Sequence, residues 1–358
     1  MSDHAVTAPP QACAACAARS QLLAELAGRL EHRRRDRERL SELLSLPDDA
    51  LARALALPGA PPPSATPPAG AALCRHHPQY PDRLGELAAP PAVLHLGGTV
   101  SRVLAALSAP CVAIVGPRSP SDYGREVARA VATGLAASGV CVISGMAMGV
   151  DAIVHEAALA AGGPTIAVLP GGVDVAYPAG KRALHARLRA HAAIVSELPA
   201  GTAPWRWTFV ARNRIVAALA AVTVVIEARE RSGTLITAGF AGDLGREVAA
   251  VPGPVTASRS DGTNALIRDG AHLVRDARDV LDLLYGVGGE HGEGSRSPRL
   301  APALAALLAQ VRAGRDTPEA LVQTGRSLET VLSGLTELEL LGRVRRGLSG
   351  RYLALRGG

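Results

Sequence analysis

The sequence predicts an α/β protein: a doubly wound, Rossmann-like parallel sheet, preceded by a helical region and followed by a winged-helix domain. Three observations carry that prediction. Six short runs rich in valine, isoleucine and alanine alternate with stretches of helical length. Most of those runs are continuously apolar rather than alternating, as in strands buried on both faces. Two segments poor in core-forming residues bracket the region that holds them, one rich in proline and one in glycine, serine and charge.

The elements follow in chain order. Residues 1–57 read as helical. Leu22, Leu23, Leu26 and Leu30, then Leu40, Leu43 and Leu44, recur at helical spacing around a charged run from Glu31 to Arg39. That run mixes signs and reads as a solvated helix face. Residues 58–70 hold too much proline for a helix or a central strand and form an extended linker. Residues 71–285 are the Rossmann-like domain, with strands expected at 111–115, 140–144, 165–169, 193–197, 222–227 and 247–251. Helices are expected between them, as at 124–138 and 151–161. Residues 286–299 form a second linker. Residues 300–358 read as a winged helix, with helices at 301–311, 317–325 and 327–342 and a hairpin at 343–355. Thr317 and Ser327 are suited to cap the second and third helices. The third helix carries Glu329, Glu337 and Glu339 where groove reading would need basic residues, so a structural or protein-docking role is expected.

Composition narrows the partners. The net charge of +6 mildly favours an anionic ligand. Of 38 basic residues only Lys181 is a lysine, so the cations are planar forks suited to bidentate phosphate contacts. Five cysteines, an odd number, argue against a disulfide framework and for a reducing cytoplasm. No signal peptide or membrane span is expected. Cys13 and Cys16 form a CxxC, but no second pair follows at zinc spacing, and Cys74, His76 and His77 lie across a linker. Neither a metal site nor a cofactor is expected.

In doubly wound sheets ligands sit at the C-terminal strand ends, near the switch point. After 111–115 comes GlyProArgSerProSer (116–121). Gly116 permits a tight turn, Arg118 projects, and Ser121 can cap the next helix, whose N-terminus attracts an anion. This is not the dinucleotide fingerprint, and no acidic residue closes 140–144 to hold a ribose. SerGlyMetAlaMetGlyValAsp (144–151) offers Ser144 and Asp151 as hydrogen-bonding groups and Gly145 and Gly149 for close backbone approach. LeuProGlyGlyValAspValAlaTyrPro (169–178) adds Gly171 and Gly172, with Lys181 beyond.

Trp205, Arg206, Trp207 and Phe209 then precede the triplet Arg212, Asn213 and Arg214. In a chain with 3% aromatics, that segment holds both tryptophans and one of the two phenylalanines. Bases stack on aromatic faces and phosphates pair with arginine, so single-stranded nucleic acid is the ligand class indicated. One of the triplet arginines is expected to pair with Glu197 or Glu227. Ser232 and Asn264 are expected as helix caps.

Taken in order, these motifs make the sequence resemble the DNA-processing protein A family (DprA, also called Smf). The resemblance is carried by 116–121, 144–151, GlyGlyValAspValAlaTyrPro (171–178), SerGluLeuPro (196–199), PheValAlaArgAsnArgIleVal (209–216), ValIleGluAla (225–228), SerGlyThrLeuIleThrAla (232–238), AlaValProGly (250–253) and AsnAlaLeuIle (264–267). TyrProAspArgLeu (80–84) and ProProAlaValLeuHisLeuGlyGly (90–98) match the family's lead-in.

The resemblance implies a homodimer that binds single-stranded DNA, protects incoming DNA, displaces single-strand binding protein and loads the RecA recombinase during natural transformation. It implies no catalytic residue. It maps a pocket arginine onto Arg118 and a serine-glycine loop onto Ser144, Gly145 and Gly149. It maps basic positions onto Lys181 and Arg206, an aromatic onto Phe209, and the triplet onto Arg212, Asn213 and Arg214. Pro117 departs from the family's usual serine. The alternative is a nucleoside-monophosphate phosphoribohydrolase on the same general fold, which the ProGlyGly at 170–172 resembles. The glutamate such enzymes need soon after the glycines is missing here.

Overall fold

The computed structural model describes residues 9–33, 37–54, 70–286, 301–323, 325–341, 343–347 and 351–354. The linker stretches 58–69 and 287–299 and part of the charged run after Glu31 lie outside the described residues. The chain divides into two compact units, 1–292 and 293–358.

The first unit is built on a nine-stranded sheet. Its strands are β1 (Ala72–Cys74), β2 (Val93–Gly97), β3 (Cys111–Val115), β4 (Cys141–Ser144), β5 (Thr165–Val168), β6 (Ala193–Ser196), β7 (Val222–Val225), β8 (Glu247–Ala250) and β9 (His272–Leu273), in the order β1-β2-β6-β5-β4-β3-β7-β8-β9. From β6 to β9 every pairing is parallel. The chain winds from β3 out to β6, returns, and continues through β7 to β9. The switch point therefore lies between β3 and β7.

All six expected strands form, within a residue or two of their expected ends. β1 and β2 extend the sheet antiparallel, so it is mixed rather than wholly parallel. These two strands carry too little pattern to stand out: β1 has three residues, and β2 places His95 in an apolar run.

The apolar runs are explained by two packed faces. Along β3, Cys111, Ala113 and Val115 join one core, while Val112 and Ile114 join the other. This is the two-residue period of a pleated strand, with apolar demand on both sides. The second layer is closed by the helices Asp122–Ala137, Val150–Ala160 and Ala277–Tyr285, and the first by Val100–Ser108, Arg206–Leu219 and Gly233–Asp243.

The N-terminal helices, Ala14–Glu25, Ala27–Arg33, Arg37–Ser45 and Asp48–Ala54, pack onto this sheet unit. Leu22, Leu23, Leu26, Leu30, Leu40, Leu44 and Leu51 share a core with Leu198, Trp207 and Ala211. Polar contacts pin the same face. The Trp207 indole donates to the Ala27 carbonyl at 2.8 Å. Ser20 Oγ lies 2.9 Å from His95 Nε2 and donates to the Glu197 carbonyl at 3.1 Å. Burial pushes the His95 pKa down to about 4.

The second unit has helices Pro302–Arg312, Pro318–Val322 and Leu328–Leu340, then an antiparallel ribbon of β10 (Val344–Arg346) and β11 (Tyr352–Ala354). Thr317 and Ser327 accept hydrogen bonds from the Ala320 and Thr330 amides, as caps do. Val331, Leu335 and Leu338 pack inward against Leu304, Leu307 and Leu308. Glu329, Glu337 and Glu339 stay on the exposed side.

Candidate nucleic-acid interface

The loops that leave β3, β4, β5 and β6 converge on one edge, beside the start of the Arg206–Leu219 helix. Glycines set how closely they approach. A Cβ on Gly116 would come within 2.5–2.9 Å of the Val150 side chain. Gly149 has φ +76° and ψ −128°, a conformation side chains avoid, and a Cβ there would lie 2.5–2.6 Å from the Arg118 carbonyl carbon and oxygen. The 116–121 loop therefore rests directly on the 145–149 loop. Gly171 and Gly172 do the same for the 170–175 and 199–204 loops, where a Cβ would meet the Thr202 and Pro199 carbonyls at 2.7 Å. Met146 (φ 55°) is the one non-glycine residue with positive φ among the described residues. The chain thus holds a costly conformation at the end of β4.

On this frame three side chains meet. The Arg118 guanidinium carbon lies 5.6 Å from the Phe209 ring centroid. Tyr177 stands edge-on to Phe209, with centroids 5.4 Å apart. Arg118 and Tyr177 are exposed, and Phe209 is half-buried. A cation over a ring next to a second ring offers a base a stacking face and a phosphate a fork in the same place. Arg206 is exposed one turn before Phe209 on the same helix. Lys181 is half-buried, with its Nζ 3.4 Å from Glu156. Tyr177 was present in the 171–178 motif, but sequence reasoning did not single it out.

The remaining expected residues support the edge from within. Ser144 Oγ is buried and donates to the Ile114 carbonyl at 2.8 Å. Arg212 is buried, and its Nη1 donates to the Gly145 and Val168 carbonyls at 2.5 and 2.6 Å. Burial lowers the Arg212 pKa, with the Asp151 carboxylate opposing that shift. A side chain at position 145 would collide with this guanidinium. Asn213 accepts from Arg212 Nε at 3.2 Å. Arg214 turns away to the buried Glu197, with Nη2 2.6 and 2.7 Å from the two carboxylate oxygens. That is the ion pair the sequence anticipates. Trp207 faces the N-terminal helices, and Trp205 lies against Gly28. The aromatic segment is thus divided between two tasks.

Ser121 caps the Asp122–Ala137 helix, accepting from the Gly124 amide at 3.0 Å. Its own amide donates to Glu227 at 3.0 Å, and its hydroxyl donates to the same carboxylate. The helix start expected to attract a ligand anion is therefore occupied by an internal carboxylate. Ser232 caps as expected. Asn264 does not cap a helix. It lies inside the Asp261–Arg268 helix and clamps Gly253, donating to its carbonyl and accepting from its amide at 3.1 and 3.2 Å. A short amide that reaches across to a loop gives the same sequence pattern as a cap.

On the β7 side of the switch point, a cavity of about 370 Å³ is lined by Pro117, Ser119, Arg229, Arg231, Ser232 and Arg259. Arg259 donates to the Ser119 carbonyl. Sequence reasoning missed these three arginines. Arg229 and Arg231 flank a glutamate and read as a mixed-charge loop, and Arg259 is brought in from beyond β8. Among the described residues, no helix is long and apolar enough to cross a membrane.

The sequence profile of the DNA recombination-mediator protein A family matches residues 71–285. A Mycobacterium tuberculosis relative, provisionally named DNA processing protein DprA, is 42% identical over 252 residues. That match covers 69% of this chain and 64% of the relative's length. Among solved structures, DNA processing protein A from Streptococcus pneumoniae aligns with a TM-score of 0.57 and 34% identity, over 69% of this chain and 80% of that one. DNA processing protein A from Helicobacter pylori, described by its single-stranded DNA binding mode, aligns with a TM-score of 0.53 and 29% identity, over 60% of this chain and 96% of that one. By profile, sequence and fold, the chain belongs to the DNA recombination-mediator protein A family.

Proposed function

We propose that this protein binds single-stranded DNA along the C-terminal edge of its sheet without catalysing a reaction on it. The observation that carries the reading is the Arg118–Phe209–Tyr177 cluster, which sets a guanidinium and two rings together on a glycine-shaped frame. In this reading Gly116, Gly149, Gly171 and Gly172 shape the floor. Ser121, Ser144, Gly145, Arg212 and Asn213 hold it from beneath, while Arg214 is taken up by Glu197. Arg118, Arg206, Phe209 and Lys181 touch the strand. Two potential acids at strand ends, Glu197 and Glu227, are engaged by Arg214 and by Ser121, which speaks against hydrolytic chemistry there. Family membership supports the wider role proposed with it: in the cytoplasm, a homodimer holds incoming single strands, displaces single-strand binding protein and loads RecA during transformation.

Fluorescence anisotropy with single- and double-stranded oligonucleotides across a salt series tests the binding step. Single strands should bind more tightly than duplex. If roughly four phosphates are neutralised, log affinity falls with log salt at a slope of about −3. Equal affinity for the two forms, or affinity flat in salt, refutes the reading. Stimulation of RecA filament growth on strands coated with single-strand binding protein, lost in Arg118→Ala, tests the loading step.

A further inference from the structure

Four side chains that the DNA-binding reading leaves unused meet beside β1, the outermost strand of the sheet. Cys13 is the N-cap of the Ala14–Glu25 helix, and Cys16 lies in its first turn. Cys74 ends β1, and His76 sits on the turn that follows, where the His77 amide donates to the Cys74 carbonyl at 2.8 Å. The Pro-rich stretch separates the two pairs in sequence. In the fold the three sulfurs and a ring nitrogen of His76 all lie within 4.8 Å of one another. We propose that Cys13, Cys16, Cys74 and His76 bind one zinc ion in a closed tetrahedral site that fastens the N-terminal helices to the sheet.

The donor set is that of structural zinc: three thiolates and one imidazole, with no position left open for substrate. The spacing fits as well. Cys13 Sγ and Cys16 Sγ each lie 3.5 Å from His76 Nδ1. Zn–S bonds of about 2.3 Å and Zn–N bonds of about 2.0–2.1 Å at a tetrahedral angle place sulfur and nitrogen about 3.5 Å apart.

The backbone holds both pairs in place. The Ala72 amide donates to the Pro10 carbonyl at 2.8 Å, and the Arg75 amide to the Ala92 carbonyl at 3.2 Å. Cys16 and Cys74 are buried among Ala72, Ala92 and Val93, while Cys13 and His76 are exposed and leave an entry path for the ion. The helix start favours thiolate over thiol. A CxxC at a helix start is also the geometry of a redox dithiol, but that chemistry needs neither a third thiol nor an imidazole within reach. Binding displaces protons from the thiols and leaves every sulfur reduced.

The test is elemental analysis of the tag-free full chain purified under reducing conditions. About one zinc per chain is expected. His76→Ala and Cys13→Ser, both at exposed positions, should lose the metal, whereas Cys111→Ala, in the sheet core, should keep it. Cobalt substitution of the wild type should give tetrahedral ligand-field bands with thiolate charge transfer, and both should be absent from Cys13→Ser. Removing zinc with a chelator should shift Trp207 emission to the red, because the helices that bury it are released. Two results would each overturn the proposal: a wild-type protein that neither carries zinc nor takes it up from zinc chloride, or variants that keep full stoichiometry.

Discussion

The two faces of the Arg206–Leu219 helix divide one short stretch of sequence between recognition and architecture. Arg206 and Phe209, three residues apart, form one stripe. Trp207, Ala211 and Arg214, spaced four and then three, form another. The first stripe leads to Arg118 and the strand ends. The second leads to the N-terminal helices and Glu197. Aromatic and guanidinium groups crowded together in sequence are therefore not one site. The 100° step of the helix sends neighbours to different partners.

The largest effect expected from this division belongs to the architectural face. Arg214→Ala leaves the Glu197 carboxylate buried without its partner and should cost about 3–5 kcal/mol of stability in urea unfolding. The fraction that stays folded should bind oligonucleotide normally. Lost affinity at unchanged stability would erase the distinction between the stripes.

Acid should act next. Burial lowers His95 to about 4 and His155 to about 3 from an ordinary 6.5. Both stay neutral when folded, so their contribution is complete above about 6.5 and is lost as pH falls toward those values. The His95 shift corresponds to roughly 3 kcal/mol. Because His95 meets Ser20, His95→Gln should flatten the acid limb of a melting-temperature profile. A profile unchanged by that substitution would place the acid sensitivity elsewhere.

On the recognition face, Phe209→Ala and Arg118→Ala should each weaken single-strand binding by about 1–3 kcal/mol, with an unchanged melting temperature. A drop in melting temperature with normal binding would make these residues structural too. The smallest effect is expected at Lys181, which already faces Glu156. Lys181→Ala should reduce the salt slope by about 0.7 and affinity only slightly. A larger loss would give this lysine a contact comparable to that of Arg118.

The sheet was legible because every strand from β3 to β8 is short, bounded by turn residues and, β8's exposed start apart, apolar on both faces. The positions of Gly149 and Arg118 were legible as motifs. The assignment of Arg214 to Glu197 was legible only as one of several possible pairs, since helix phase decides it. Tyr177, Arg229, Arg231 and Arg259 join the edge through loops whose paths no local pattern encodes. The meeting of Cys13 and Cys16 with Cys74 and His76 escaped for the same reason, because β1 is too short to announce that it returns beside the first helix.

The carboxylate of Glu227, seated on Ser121 and the start of the Asp122–Ala137 helix, has a consequence for the size of the ligand. Nucleotide-binding relatives of this architecture use a bare helix end to grip one phosphate group strongly. Here that grip is already taken from inside the protein. Affinity must then accumulate from several modest side-chain contacts spread along the edge. A single nucleotide should hardly bind, and affinity should climb steeply with oligonucleotide length until the strand spans from Arg118 to the arginines beyond β7.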